Sequence, residues 1–143
     1  MEKLLLQIVN TAPDAILVAD SAGIIRFWNR GAETIFGLPA EQALGESLDL
    51  IIPVPLRARH WEGYRRVFAT GVTNYSTGLL TVPGVRQDGS RLSLEFSMVL
   101  LRNEGGEVID CAAIMRDVTA RWQQEQDLKA RLLRCEKDFS VEK

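Results

Sequence analysis

Residues 91–101 constrain this chain more than any other stretch. Leu92, Leu94, Phe96, Met98 and Leu100 alternate with Arg91, Ser93, Glu95 and Ser97, and a period of two suits a strand with one buried and one wet face. Gln87-Asp88-Gly89-Ser90 precedes the run and Asn103-Glu104-Gly105-Gly106 follows it. Glycine in both supplies the positive φ that hairpin turns need. Three strands are therefore expected in series, over residues 74–82, 91–101 and 107–116. A second hairpin opens the chain: residues 15–19 are apolar, Asp20-Ser21-Ala22-Gly23 is a turn, and residues 24–28 return. Between the two groups lie short helices. Asn29 is placed to cap one that Gly37 stops, Pro39 to Leu44 form another turn ended by Gly45, and an apolar segment over 48–52 ends at Pro53. Pro55 sits in the first turn of a longer helix that Gly71 terminates. The pattern predicts an α+β fold, a five-stranded antiparallel sheet with its helices grouped on one face.

With 143 residues, 46% of them apolar, one core with an appendage can stand without disulfide or metal staples. The net charge of −2 leaves no basic footprint for nucleic acid or an anionic membrane. Cys111 and Cys135 fall in different predicted elements without zinc-ligand or redox spacing, so both read as small apolar fillers in a reducing, cytoplasmic setting. No apolar run reaches the roughly 20 residues of a membrane span, and the first residues lack the pattern of a signal peptide. Catalysis is not expected. There is one histidine, no Cys/His or Ser/His/Asp constellation, no phosphate loop and no metal cluster. Glu33, Glu95 and Asp110 are scattered acids that should face solvent or cap turns.

That one histidine, His60, lies in the longer helix. His60, Gly63, Tyr64 and Val67 recur at i, i+3, i+4 and i+7 and would line one face, with Arg57, Arg59, Arg65 and Arg66 fanning out beside it. A neutral imidazole on an apolar wall can ligate a metal, and flanking guanidiniums can hold acidic groups. The same spacing also describes a surface helix whose histidine is half-buried and hydrogen-bonded.

The ends read differently from the middle. Leu4, Leu5, Leu6, Ile8 and Val9 form a lead-in helix over residues 1–11, too brief to be stable alone but able to dock on a sheet or a partner. Residues 118–143 are charged and helical, and Glu125, Leu128, Leu132, Cys135 and Phe139 fall at alternating spacings of three and four. Such a seam, with Trp122, fits a two-chain coiled coil or a helix folded back on the domain.

The runs Ala12-Pro13-Asp14-Ala15-Ile16-Leu17-Val18-Ala19-Asp20, Gly23 through Asn29 to Gly37, Arg86-Gln87-Asp88-Gly89-Ser90 and Arg116-Asp117-Val118-Thr119 together resemble a PAS domain. The resemblance covers about residues 4–119 and implies a core over 12–117. It implies a sensory module of a bacterial signalling protein, such as a histidine kinase or a transcription regulator, with a covalently linked output domain. Asp117 and Thr119 match the family's exit from the last strand into a signalling helix. Ile52-Pro53, Leu56-Arg57 and His60 resemble the haem-binding branch of the family, which implies His60 as the proximal iron ligand and Arg66, with Arg59 beside it, as the arginines for the haem propionates. The arginine or methionine that this branch aims at the iron would fall at Leu80 or Gly78. Tyr75, Leu80, Phe96 and Met98 would line that wall, with Tyr75 a hydrogen-bond donor, Met98 a weak sixth ligand, and Tyr64 one place from its counterpart.

Two functions are therefore expected to compete. In one, the His60 helix and the inner face of the sheet enclose a mostly apolar cavity for a small ligand, haem or an organic metabolite. In the other, the chain is a dimerisation and relay module whose work rests on Leu5, Ile8, Trp122, Leu128 and Leu132. Both predict a homodimer through the terminal helices. A flavin is not expected, because the reactive cysteine of light-sensing PAS domains sits in a helix of the core.

Overall fold

A computed structural model describes residues 1–73 and 80–141. Helix α1 spans Glu2–Thr11, strands β1 and β2 span Ala15–Asp20 and Ile25–Trp28, and helices α2 and α3 span Arg30–Phe36 and Ala40–Ala43. Two 3₁₀ turns, Leu48–Ile51 and Val54–Leu56, lead into α4, Arg57–Thr70. Strands β3 (Leu80–Val85), β4 (Arg91–Arg102) and β5 (Val108–Asp117) follow, and α5 runs Thr119–Val141. The five strands form one antiparallel sheet in the order β2-β1-β5-β4-β3, as the alternation predicts. Among the described residues no helix is long and apolar enough to cross a membrane.

The inner face of the sheet is small in the middle and large at the side. Central strands β1 and β5 contribute Ala15, Leu17, Ala19, Cys111 and Ala113, while β4 contributes Leu92 and Leu94. Phe36 of α2 and Tyr64 of α4 join them in one continuous cluster with Trp28 and Ile25. Trp28 can be buried because its indole N–H donates to the Leu38 carbonyl at 2.9 Å, which satisfies its one polar atom. Glu33 behaves as a capping acid, accepting from the Ala40 backbone N–H at 2.8 Å where α3 begins.

Two boundaries differ from expectation. Strand β3 continues through Pro83 to Val85, and residues 74–79 of the predicted strand lie outside the described residues. Pro83 does not end it because β3 is an edge strand, where a missing N–H leaves no ladder bond unmade. Pro55 belongs to a separate 3₁₀ turn, and α4 starts only at Arg57. Gly71 ends that helix in the left-handed region, at φ 69°.

Candidate functional site

The inward stripe of α4 is aromatic, and it is rotated from the one expected. Trp61, Tyr64 and Phe68 pack on the core, with Tyr64 5% exposed, whereas His60, Gly63 and Val67 are half-buried on the flank of Tyr64. Two contacts with distant segments set this rotation. The Trp61 ring lies over Gly23 in the β1–β2 turn, where a Cβ would stand 2.1 Å from the indole. Its N–H donates to Asp49 Oδ1 at 2.8 Å. Tyr64 then donates its hydroxyl to the Asp20 carbonyl at 2.5 Å. Burial, with the nearby Cys111 and Asp20, drives the Tyr64 hydroxyl well above its ordinary range, so it remains a donor.

His60 completes the cluster. Its ring centroid is 4.7 Å from Trp61, edge-on, and 5.6 Å from Tyr64. Among the described side chains His60 Nδ1 is the buried polar atom without a hydrogen-bond partner. Burial lowers the imidazole below its ordinary pKa, and the charge of Asp49 offsets this only in part, so the ring is neutral at pH 7. A neutral imidazole with an unused buried nitrogen fits a metal ligand. No three His, Cys, Asp or Glu side chains converge among the described residues.

The arginines divide. Arg57 does not fan into solvent but donates to the backbone carbonyls of Ile52 and Asp49, each at 3.1 Å, and so pins the first 3₁₀ turn to α4. Arg66 is exposed and pairs with Glu62 at 3.3 Å, one turn away. Six residues separate it from His60, about one and two-thirds turns, which places the two on different faces. Arg59 is also exposed.

Across the core, Phe96 is buried and Met98 is half-buried on β4, where Met98 Sδ accepts from the Thr73 hydroxyl at 3.7 Å. Leu80, opposite Phe96 in the ladder, is 38% exposed. Tyr75 and Gly78 lie outside the described residues. Cys111 is buried on the inner face of β5, with its thiol pushed up to about 12 by burial. Trp61, Phe68 and Met98 pack against the core cluster that includes Tyr64 and Leu94. Two surface hollows of about 260 and 170 Å³ lie between the end of α2 and the β3–β4 turn, lined by Phe36, Arg86 and Gln87; neither touches His60. The residues missed in the sequence are Trp61 and Asp49. Trp61, Tyr64 and Phe68 stand at i, i+3 and i+7, a signal present but masked by the competing stripe through His60.

At the far end of the sheet, Asp117 and Thr119 form the expected exit. Asp117 Oδ1 accepts from the Thr119 backbone N–H at 3.0 Å and from its hydroxyl, and Thr119 Oγ1 accepts from Ser93 N at 3.0 Å. Arg86 donates to the other Asp117 oxygen at 3.2 Å. Leu5, Ile8, Leu128 and Leu132 are exposed by 53–64%, and Trp122 by 40%.

A family model described as PAS fold matches residues 9–123. The chain is 31% identical over 130 residues to the sensor protein FixL of Bradyrhizobium diazoefficiens, covering 88% of this chain and 25% of that one. It is 25% identical over 122 residues to the oxygen sensor protein DosP of Escherichia coli, covering 80% and 14%. The chain thus spans a quarter or less of the length of these curated relatives. Among solved structures, the PAS domain of a protein from Colwellia psychrerythraea superposes with a TM-score of 0.70 at 27% identity, covering 83% of this chain and 98% of that one. A family-model match over residues 9–123, most of the length, makes the chain a member of the PAS-fold family.

Proposed function

We propose that the chain is the sensory module of a larger signalling protein and that it takes haem through His60. The observation that carries this reading is the buried, neutral imidazole with an unpartnered Nδ1, in a chain similar to proteins named as sensors. Haem would supply an iron at which a small gas binds. Trp61 and Tyr64 hold α4 against the β1–β2 turn and so fix where the imidazole stands. Phe96 and Met98 would form the opposing wall with Leu80, and keep water from the site. Arg66 and Arg59, on the exposed side of α4, are assigned no contact with it. A ligand signals only if it binds two arrangements of sheet and tail with different affinity, and here the route out runs from β5 through Asp117 and Thr119 into α5, toward a covalently linked output domain.

The exposed apolar side chains of α1 and α5 favour a second reading, in which the core holds no haem and the chain relays signals through a homodimer of its terminal helices. Hemin titration separates the two. The first predicts a Soret band of one haem per chain that is lost in His60→Ala, with the far-ultraviolet circular dichroism of the variant unchanged. A colourless wild-type protein, or a band indifferent to His60→Ala, would sink the haem reading and leave the relay.

A further inference from the structure

One row of charge crosses the outer face of the sheet from the root of α1 to the root of α5. Asp14, just before β1, accepts from Arg116 of β5 at both carboxylate oxygens, each at 3.1 Å. Arg116 stands opposite Glu95 of β4 in the antiparallel register, where facing Cβ atoms lie about 5 Å apart. Glu95 accepts from Arg121, in the first turn of α5, at 2.5 Å. The signs alternate, and the strand order β1-β5-β4 makes the members of the row consecutive. The carboxylates are the covered members, with side chains 27% exposed at Asp14 and 17% at Glu95, against 64% at Arg116 and 54% at Arg121.

Each end of the row is the anchor of a terminal helix. Asn29 Nδ2 donates both to the Val9 carbonyl in the last turn of α1, at 2.8 Å, and to the Asp14 carbonyl, at 3.0 Å. Gly31 backs onto the same segment so closely that a Cβ would stand 2.1 Å from the Asp14 carbonyl oxygen. Asp14 therefore sets where α1 leaves the domain. At the other end, Val118 N donates to the Ser93 carbonyl and Ser93 N donates to Thr119 Oγ1, so the root of α5 is tied to β4 two residues from Arg121's contact with Glu95.

We propose that Arg116 and Arg121 compete for Glu95 and that this competition couples the position of α5 to the anchoring of α1. While Arg121 holds Glu95, Arg116 is left to clasp Asp14 with two nitrogens. When α5 shifts and draws Arg121 away, Glu95 is a largely covered carboxylate short of a partner, which is costly. It then pulls Arg116 toward itself, Asp14 loses part of its clasp, and α1 loosens. Asp14 first, and Glu95 after it, hold the Arg116 guanidinium above its ordinary range, so the charge of Glu95 is already felt there. Single exposed ion pairs contribute little to stability. What the row supplies is linkage between two helices that share none of its contacts, and linkage of this kind is reciprocal. The device lies on the outer face of the sheet and stands whether or not His60 takes a ligand.

Amide hydrogen exchange in the full chain tests it. Arg121→Gln, which removes no atom near α1, should speed exchange at residues 6–11 about two- to fivefold, the range an exposed pair can supply. Adding Glu95→Gln removes the competitor, so the double variant should return α1 to the wild-type rate. Asp14→Asn should reproduce the loosening directly. The proposal is overturned if Arg121→Gln leaves α1 at the wild-type rate, or if the double variant exchanges as fast as the single. It is equally overturned if the amides of β1 and β5 accelerate with those of α1, since the effect would then be a loss of global stability.

Discussion

Asn29 is the buried polar side chain among the described residues, 1% exposed, and each of its amide atoms is used twice. Oδ1 accepts from Ile16 N at 2.8 Å and Ala32 N at 2.9 Å, and Nδ2 donates to the Val9 and Asp14 carbonyls. The expected helix cap is thus also the joint between α1, β1 and α2. Removing it leaves two backbone donors and two acceptors without their partner, one of them buried and three partly buried. Asn29→Ala should cost about 3 kcal/mol or more, against the ~1 kcal/mol of a surface cap, and urea unfolding followed by tryptophan fluorescence would measure it. A loss under 1 kcal/mol would mean that water replaces the amide. The cap itself was legible, since asparagine before Ala32 and Ile35 is a local signal. The other three bonds were not, because they come from residues brought near by the fold.

Helix α4 shows the same division one level up. Its Gly71 stop follows from local chemistry, but two stripes through Tyr64 compete for the core, and the residues alone point to the one through His60. Gly23 and Asp49, each in a different segment, decide for Trp61 and Phe68. His60 is left on the flank, close enough to be buried at Nδ1 and too far round to be bonded. Tyr64 is the bolt that holds this rotation, through its bond to the Asp20 carbonyl. Tyr64→Phe should destabilise the chain by about 1 kcal/mol and no more, because the Asp20 carbonyl keeps its bond from Gly23 N. Thermal unfolding of the variant would show it, and an unaltered midpoint would mean that ring packing alone sets the helix.

Both terminal helices leave apolar side chains without cover. Helix α1 has Leu4, Leu5, Leu6 and Ile8 exposed by 53–56%, and α5 has Leu128, Leu132, Leu133 and Phe139 exposed by 57–71%. A ten-residue helix is marginal in water on its own, and the long α5 extends with its seam uncovered rather than folded back on the sheet. We propose that a second copy of the chain covers these helices. Leu128→Glu with Leu132→Glu places like charges in the seam and should halve the mass seen in equilibrium sedimentation. A mass that stays at one chain in the wild type, or at two chains in the variant, would remove the coiled-coil dimer.

The order of strands and helices, the hairpin turns, the Asp117–Thr119 exit and membership of the PAS-fold family could be read from the residues alone, because side-chain period, turn glycines and capping groups act over a few neighbours. Which face of α4 turns inward, that His60 is left on its flank with a buried, unpartnered Nδ1, and that Asp14, Arg116, Glu95 and Arg121 stand in one row could not. Those depend on strand order and on contacts between residues far apart in the chain, which only the packed sheet and its helices bring together.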